Sequence, residues 1–559
     1  MNKTKYGWAL SFIRIAFIIE WMQILRGTDA IYGCYLVFGA AGIAAAAKGR
    51  MPVGRRAGEK WVAGVFALIF SLSVVLANYR LVSSAVRCCV MLYAGYEVGA
   101  GLLWMLHACF SSSDGEKEKP KRSAAVPFFF AVFAGCAAIN LASLFFRDYP
   151  GNLTPDSMSQ VGQILSGEYT NHHPYWHTQI IAVFLRLGLC LFGDINAAVA
   201  VYSVAQVVMM ALCFAFAVMT LYQANVSKWC LILSIAAYTM LPYHVIYSYT
   251  MWKDVLFGGA VLLFITALYR VFEGLGKRGL NYALLALGMM GTALLRSNGW
   301  MTLLAVFVIW LLFFHQKRKG ITVLFAAVLS AAWIMIHPVL ANLGVEEANF
   351  REALSIPIQQ IARVIAFDGE ITEEQTDLIS RIVDIEKVPE WYAPGLSDPV
   401  KFNVDGEYIR NHKAEYLRLW MDIGIRNPIV YAQAWIEQTK GYWNGGYNLW
   451  IWNRGVARND YGIYAGHEGI LSGYFQAMKL PQMLSVVFSI GSHLWLMVGM
   501  FMLHCIQGRK EKAFLAVPVL MMMGTLLLAS PVFCEFRYAY ALFTVLPFYS
   551  GASLAKSRG

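Results

Sequence analysis

The sequence predicts an all-α polytopic membrane protein with about fourteen transmembrane helices. Three observations lead to this prediction. The 559-residue chain is 58% hydrophobic and only 14% charged, which is far more apolar than a soluble domain. Its apolar residues fall into repeated runs of roughly twenty residues, the length needed to cross the hydrocarbon core of a bilayer as a helix. Its lysines and arginines collect in short loops between those runs, the pattern of cytoplasmic loops in membrane proteins.

The hydropathy pattern places the predicted membrane helices along the whole chain. They cover residues 6–24, 29–47, 61–79, 88–109, 124–146, 195–222, 229–247, 255–271, 279–295, 300–315, 321–340, 484–506, 513–530 and 538–555.

The distribution of positive charge predicts the orientation of these helices. With the N-terminus in the cytoplasm, every loop rich in lysine and arginine faces the cytoplasm, and so does the C-terminus. This arrangement requires the apolar stretch Pro174–Phe192 to lie on the outer surface as an interfacial helix, because a crossing there would move the later positive loops outside. We therefore predict a multi-pass protein of the cell membrane. The net charge of +11 follows from these loops and does not indicate nucleic-acid binding.

Changes in polarity divide the chain into five predicted parts. A membrane region of four helices comes first, followed by a cytoplasmic linker, a membrane module with a large first external loop, a polar, mostly helical extracytoplasmic segment, and three C-terminal transmembrane helices. These parts cover residues 1–110, 111–123, 124–340 (with the loop at 147–192), 341–483 and 484–559.

The first external loop contains the carboxylate that is best placed for chemistry. Thr154 followed by Pro155 predicts the start of a helix, which puts Asp156 in its first turn. An acidic residue there also stabilises a helix end without any further role. A carboxylate held just outside the membrane is, however, where a base has to stand to activate an acceptor hydroxyl at the water interface.

A histidine-rich stretch follows in the same loop. His172, His173 and His177 surround Pro174. Without a third ligand at a recognisable spacing, the pattern favours histidines that hydrogen-bond to the loop or contact a phosphate over a metal site. The sequence indicates no certain cofactor and leaves a divalent metal open.

Three other external turns each place a cation at the outer membrane boundary, against the general charge trend. One such cation is readily explained by a structural pair, as between Lys253 and Asp254, whereas three at the same depth predict a site for a phosphate or pyrophosphate headgroup. The predicted phosphate ligands are Lys253, Arg296 and Arg537, and their neighbours Asp254, Asn298 and Glu535 are predicted to line the site.

Two further side chains come from the large polar segment. Arg363 lies on an amphipathic stretch that either lines the site or packs as an ordinary helix. Trp443 begins a run of aromatic and amide side chains that suits either sugar stacking or anchoring at the membrane surface. The sequence leaves both pairs of alternatives open.

These pieces together resemble a known superfamily. A transmembrane helix, an external loop with an early aspartate, and an interfacial helix entered through His173-Pro174 are similar to the GT-C superfamily of membrane glycosyltransferases, including protein mannosyltransferases. The matching motifs Asn152–Ser157, Asn171–Pro174, Trp252–Asp254, Arg296–Gly299 and Glu535–Tyr538 look most like an uncharacterised bacterial family with this architecture. The resemblance covers residues 124–559. The first external loop of this sequence lacks the adjacent Asp-Glu pair of the mannosyltransferases.

The resemblance implies a function. It implies transfer of a sugar from a polyprenyl-phosphate carrier to an acceptor on the outer side of the membrane, with Asp156 as general base and Lys253, Arg296 and Arg537 on the departing phosphate. The acceptor is left open among glycan, lipid and protein. Two rival functions are a transporter or flippase of a lipid-linked glycan, for which mid-membrane charges and repeated halves are expected, and a glycan ligase, which would use the same phosphate site.

Overall fold

The computed structural model describes residues 3–26, 32–48, 56–110, 124–316, 318–447, 455–466 and 484–555. Over these residues the regular secondary structure is helical, apart from a few isolated β-bridges between loops. The all-α prediction is therefore confirmed for the part of the chain described. The predicted linker at 111–123 and the end of the aromatic run at 448–454 lie outside the described residues.

The helices follow one another with short connections in three stretches of chain. The N-terminal stretch contains α1 (Lys3–Arg26), α2 (Tyr32–Ala47), α3 (Ala57–Ala77) and α4 (Ala85–Phe110). The next contains α5 (Ala125–Arg147), α6 (Pro155–Ser166), α7 (Tyr175–Phe192), α8 (Ile195–Gln223), α9 (Lys228–Met240), α10 (Pro242–Tyr247), α11 (Lys253–Phe272), α12 (Arg278–Leu294), α13 (Gly299–Phe313), α14 (Lys319–Ile336) and α15 (Pro338–Asn342).

The third stretch begins in the polar segment and returns to apolar helices. It contains α16 (Ser355–Ala366), α17 (Glu373–Ser380), α18 (Val388–Trp391), α19 (Asp398–Lys401), α20 (Gly406–Asn411), α21 (Lys413–Arg426), α22 (Pro428–Trp443), α23 (Ile490–Ile506), α24 (Lys510–Phe514), α25 (Val517–Ala529) and α26 (Tyr540–Leu554).

Eight helical stretches of the described chain are long and apolar enough to cross a membrane, as expected of a helical membrane protein. They are Ala57–Ala77, Ala85–Phe110, Ala125–Arg147, Tyr175–Phe192, Ile195–Gln223, Lys253–Phe272, Lys319–Asn342 and Lys510–Ala529.

The other apolar helices are shorter, and prolines divide both long and short apolar stretches. Within the described residues, each segment predicted as a membrane helix is helical over most of its length. Predicted segments are divided before Pro242, before Pro338 and, between α24 and α25, before Pro518, because proline cannot continue the hydrogen-bond ladder of a preceding helix. Since α7 qualifies as a span by length and composition, its interfacial position and the total number of crossings stay predictions.

Separate groups of buried apolar side chains hold the molecule together. The largest joins α5 and α8–α14 to α22–α26. A second fills the space between α1–α4 and reaches α23 through Trp495, whose ring meets Phe66 and Phe70 edge to face. A third forms the interior of the polar segment between α16 and the start of α22. A fourth packs α6 against α7 and α8. The large apolar side chains exposed on the helices, such as Leu312 and Val323, suit contact with lipid.

Helix α22 connects the N-terminal helices to the rest of the protein. The Tyr35 hydroxyl in α2 donates a hydrogen bond of 2.7 Å to the Asn444 side chain, just after α22. Glu437 on α22 accepts a hydrogen bond of 3.1 Å from the Tyr79 hydroxyl and lies 3.0 Å from the Arg80 guanidinium. The end of α3 is thereby joined to α22 by charged and polar contacts.

Candidate active site

The start of α6 holds Asp156 in the position predicted from the sequence. The Ser157 hydroxyl accepts a hydrogen bond of 3.0 Å from the Thr154 N–H and donates one of 2.8 Å to the Met251 carbonyl. The Trp252 indole N–H donates to the Thr154 hydroxyl at 2.7 Å. These contacts fix the first turn of α6 against the segment that leads into α11.

The residues before α6 are held from two sides by backbone hydrogen bonds. The Asn152 N–H donates to the Tyr249 carbonyl at 3.2 Å, and its carbonyl accepts from the Met251 N–H at 3.0 Å. On the other side, the Leu153 N–H donates to the Gly455 carbonyl at 2.9 Å. Two distant parts of the chain therefore define the position of this loop.

A short turn between α25 and α26 brings Arg537 to the same place. Helix α22 supports this turn, because the Tyr442 hydroxyl donates a hydrogen bond of 2.8 Å to the Val532 carbonyl. Gly441 allows the close approach, since a Cβ at this position would lie only 2.4 Å from the Cβ of Cys534. Any larger residue at position 441 would push the turn away from α22.

The central contact of the site is an ion pair between Asp156 and Arg537. Their Oδ2 and Nη1 atoms are 2.6 Å apart. The Nε atom of Arg537 lies 3.7 Å from Oε1 of Glu535, and its guanidinium lies 5.0 Å from the Trp252 ring centre and 5.1 Å from that of Tyr538. The Asp156 side chain keeps 37% of its exposure, so a ligand in solution can reach this carboxylate.

Lys253 adds a second cation from the first residue of α11. Its Nζ lies 3.2 Å from Nδ1 of His173, and the rings of His172 and His173 meet edge to face at 4.7 Å. His173 is buried and His172 is exposed. The histidine stretch predicted from the sequence therefore borders the lysine of the predicted phosphate site.

Asp254 pairs with Arg296 and not with its neighbour Lys253. The Oδ1 of Asp254 lies 3.1 Å from Nη1 of Arg296, and the two side chains are only 1% and 8% exposed. The same Nη1 donates a hydrogen bond of 2.6 Å to the Tyr538 carbonyl, and the guanidinium lies 5.0 Å from the Tyr538 ring centre. Arg296 thus holds the residue that follows Arg537, and its own charge is enclosed.

The charges in the site shift the pKa values of its acids and bases. Burial alone would raise the pKa of Asp156, but the nearby Arg537 and then Lys253 outweigh it and lower the pKa to about 2. Burial and the Lys253 ammonium lower the pKa of His173 to about 3. Burial raises the pKa of Glu535, although Arg537 opposes the shift. At neutral pH, Asp156 is therefore a carboxylate and His173 is an uncharged imidazole.

His177 lies behind the charged group, in a buried polar chain. Its Nδ1 is 3.0 Å from the Gln160 amide nitrogen, and its Nε2 is 3.3 Å from the Tyr202 hydroxyl. The Tyr202 hydroxyl continues the chain by donating to Gln206 at 2.7 Å. His177 therefore connects α7 to α6 and α8 and stabilises the helix that carries Asp156.

Three predicted site residues have their contacts elsewhere. The Asn298 amide donates to the Thr525 hydroxyl at 2.6 Å. The Arg363 guanidinium donates to the Tyr392 hydroxyl at 3.0 Å and to Gln433. The third, Trp443, stacks on the Trp435 ring at 5.9 Å and donates to the Thr439 hydroxyl. In the described part of the chain, none of these contacts includes Asp156, Lys253 or Arg537.

The sequence did not identify every residue at the site. Trp252 and Tyr538 flank the Arg537 guanidinium, and their positions next to Lys253 and Arg537 in the sequence were a usable signal. Lys401 and Glu352 are joined at 2.7 Å in the polar segment, and the negative charge of Glu352 opposes the burial that lowers the pKa of His172. No local pattern marks that pair as part of the site.

The described residues contain no group of three or more histidine, cysteine, aspartate or glutamate side chains arranged to hold a metal ion. Lys253 at the start of α11 and Arg537 in the turn before α26 place two positive charges near the accessible Asp156 carboxylate.

These features define a helical membrane protein with a charged site assembled from distant loops. Residues 166–559 match the model of a family of unknown function (DUF6020). Because the match covers more than half of the chain, the protein belongs to that family. The matched range includes Lys253, Arg296 and Arg537 and begins ten residues after Asp156. No curated protein and no solved structure matches the chain.

Proposed function

We propose that this protein is a membrane glycosyltransferase of the GT-C type, which moves a sugar from a polyprenyl-phosphate carrier to an acceptor. The observation that supports this most is the meeting of Asp156, Arg537 and Lys253 at one accessible place. An anionic lipid headgroup requires paired cations. Sugar transfer to a hydroxyl group requires a carboxylate within reach of the same headgroup.

The proposed orientation follows the positive-inside pattern of the sequence. In it the chain crosses the cell membrane about fourteen times, both termini are cytoplasmic, and α7 lies along the outer surface. The site then opens on the extracytoplasmic side, where a lipid carrier presents its sugar at the headgroup level. The polar segment, on the same side, would face the acceptor.

The proposed reaction is a single displacement at the sugar. The acceptor oxygen attacks the anomeric carbon, and the bond from that carbon to the phosphate oxygen breaks. The phosphate leaves with the bonding electron pair, and the acceptor proton passes to the Asp156 carboxylate. General-base assistance of this kind typically contributes ~10²–10⁴ in rate.

The cations have different proposed roles. Lys253 and Arg537 contact the donor phosphate and stabilise the charge that collects on it as it leaves. Arg296, also predicted to bind phosphate, has its guanidinium enclosed by Asp254 and Tyr538. We propose that it acts mainly by holding Tyr538 beside Arg537.

The position of the charges favours transfer over transport. Lys253 is the first residue of α11, Arg296 follows α12 and Arg537 precedes α26, so all three lie at helix ends. A transporter is expected to place such groups near the middle of its membrane helices. A glycan ligase would use the same phosphate site, and the size of the transferred unit distinguishes it from a single-sugar transferase.

The test is a comparison of cell-envelope glycans by mass spectrometry. Cells without the protein would be complemented with the parent, with Asp156→Asn, or with Asp460→Asn, a matched change at an exposed aspartate. We expect the parent and Asp460→Asn to restore the same glycan increment and Asp156→Asn, at equal abundance, to restore little or none. Full restoration by Asp156→Asn would contradict the role of base and favour transport.

A further inference from the structure

Asp156 occupies the part of Arg537 that a phosphate would need. The N–H donors of a guanidinium point outward in its plane, so an anion has to bind along an edge. The Nη1 of Arg537 is taken by Asp156 at 2.6 Å, and its Nε faces Glu535 at 3.7 Å. The rings of Trp252 and Tyr538 lie against the same guanidinium. A phosphate therefore gains full contact with Arg537 only by displacing a carboxylate.

Of the two carboxylates beside Arg537, Asp156 is the one that can be displaced into water. The Glu535 side chain is only 16% exposed, whereas the Asp156 side chain keeps 37% of its exposure. Water can solvate Asp156 as it leaves Arg537, so the loss of this pair is partly compensated. The backbone before α6 is fixed by hydrogen bonds, so the change requires only a rotation of the side chain.

We propose that Arg537 exchanges partners, so that the donor phosphate replaces Asp156 on its guanidinium and only then frees Asp156 to receive the acceptor proton. This inference rests on the proposed function and adds an order of binding to it, with the donor before the acceptor. In the resting site Asp156 is held as a weak base by Arg537, which keeps it from promoting attack by water or an acceptor before the donor is in place.

The exchange predicts that the catalytically impaired variant binds the carrier more tightly. In Asp156→Asn the competing charge is absent while the amide keeps the shape of the side chain. Since a hydrogen bond to a charged group is among the stronger protein contacts, and Asp156 is partly exposed, we expect about tenfold tighter binding of a polyprenyl monophosphate. Glu535→Gln also removes a carboxyl group near Arg537, but that group lies 3.7 Å from the guanidinium Nε, and the change should alter the affinity much less.

The experiment measures binding of a radiolabelled polyprenyl monophosphate to the purified full-length protein in nanodiscs of zwitterionic lipid. Four proteins are compared: the parent, Asp156→Asn, Arg537→Gln and the double variant. We expect Asp156→Asn to tighten binding in the parent and to have little effect in the Arg537→Gln background. Thermal unfolding of each sample checks that the variants are folded.

The outcomes separate the two proposals. If Arg537→Gln weakens binding but Asp156→Asn leaves it unchanged, the phosphate site stands and the exchange is wrong. Tightening by the same factor in both backgrounds would reduce the effect to general charge and would also overturn the exchange. If the parent and Arg537→Gln bind equally, the carrier does not use this site, and the proposed function loses its main support.

Discussion

Replacing Arg296 by methionine should destabilise the protein strongly, because it leaves a buried aspartate without its partner. Asp254 is 1% exposed and lies 3.1 Å from Arg296. Breaking a buried ion pair from one side costs about 3–5 kcal/mol. The unpaired Asp254 lies in the first turn of α11, where the helix dipole stabilises it by up to about 1 kcal/mol. Loss of the hydrogen bond from Arg296 to the Tyr538 carbonyl costs about 1 kcal/mol. We therefore expect the free energy of unfolding of Arg296→Met to fall by about 3–5 kcal/mol.

The matched variants make this magnitude specific. Asp254→Asn removes the charge and keeps the size, and it leaves Arg296 with the Tyr538 carbonyl and ring, so we expect a loss of about 1–3 kcal/mol. In the double variant no unpaired charge is buried, and it should be more stable than Arg296→Met alone. Denaturant unfolding in one detergent, followed by tryptophan fluorescence, measures all three. Unchanged stability of Arg296→Met, or a double variant less stable than Arg296→Met, would refute this reasoning.

Three further predictions concern the same site and its support. Burial raises the pKa of Glu535, so this carboxyl group stabilises the fold at pH values below the ordinary carboxyl pKa and loses that contribution as pH rises. Glu535→Gln should therefore raise Tm at pH 8 and match the parent at pH 4. A Tm difference that is the same at both pH values would contradict this. The pKa of Asp156 is lowered to about 2, so its pair with Arg537 stabilises the fold at pH values above the ordinary carboxyl pKa and loses that contribution only as pH falls toward 2. The Tm difference between the parent and Arg537→Gln should therefore be constant from pH 5 to 8. A decrease of that difference within this window would show that the pair is not formed. Glu437→Gln should lower Tm by removing the charge that faces Arg80 and Lys440, whereas Glu373→Gln, at the exposed start of α17, serves as a control that should change little.

Much of the fold follows from short-range patterns in the sequence. Runs of apolar residues identified the helices, and Thr154 with Pro155 identified the start of α6, because both signals act within a few residues. The divisions at Pro242, Pro338 and Pro518 were not predicted, although proline at those positions carries the signal for them.

The sequence also predicted which cations belong to one site, but it did not predict which carboxylate each cation contacts. Lys253, Arg296 and Arg537 were selected together because each stands at the end of an apolar run. Which carboxylate each cation would meet depends on how the helices pack, and neighbours in sequence were a poor guide. Asp254 turns away from Lys253 to Arg296, and Lys253 contacts His173 across 80 residues of chain.

Helix α22 lies between the N-terminal helices and the turn that carries Arg537. One side meets Arg80 and Tyr35 of the N-terminal helices, which lie outside the matched family range, and the other fits Gly441 against the turn that carries Arg537. A family member that lacks those N-terminal helices would leave the Glu437 carboxylate facing lipid or water. In such sequences we expect an uncharged residue at the position of Glu437 and glycine retained at that of Gly441, so the two positions should vary independently across the family.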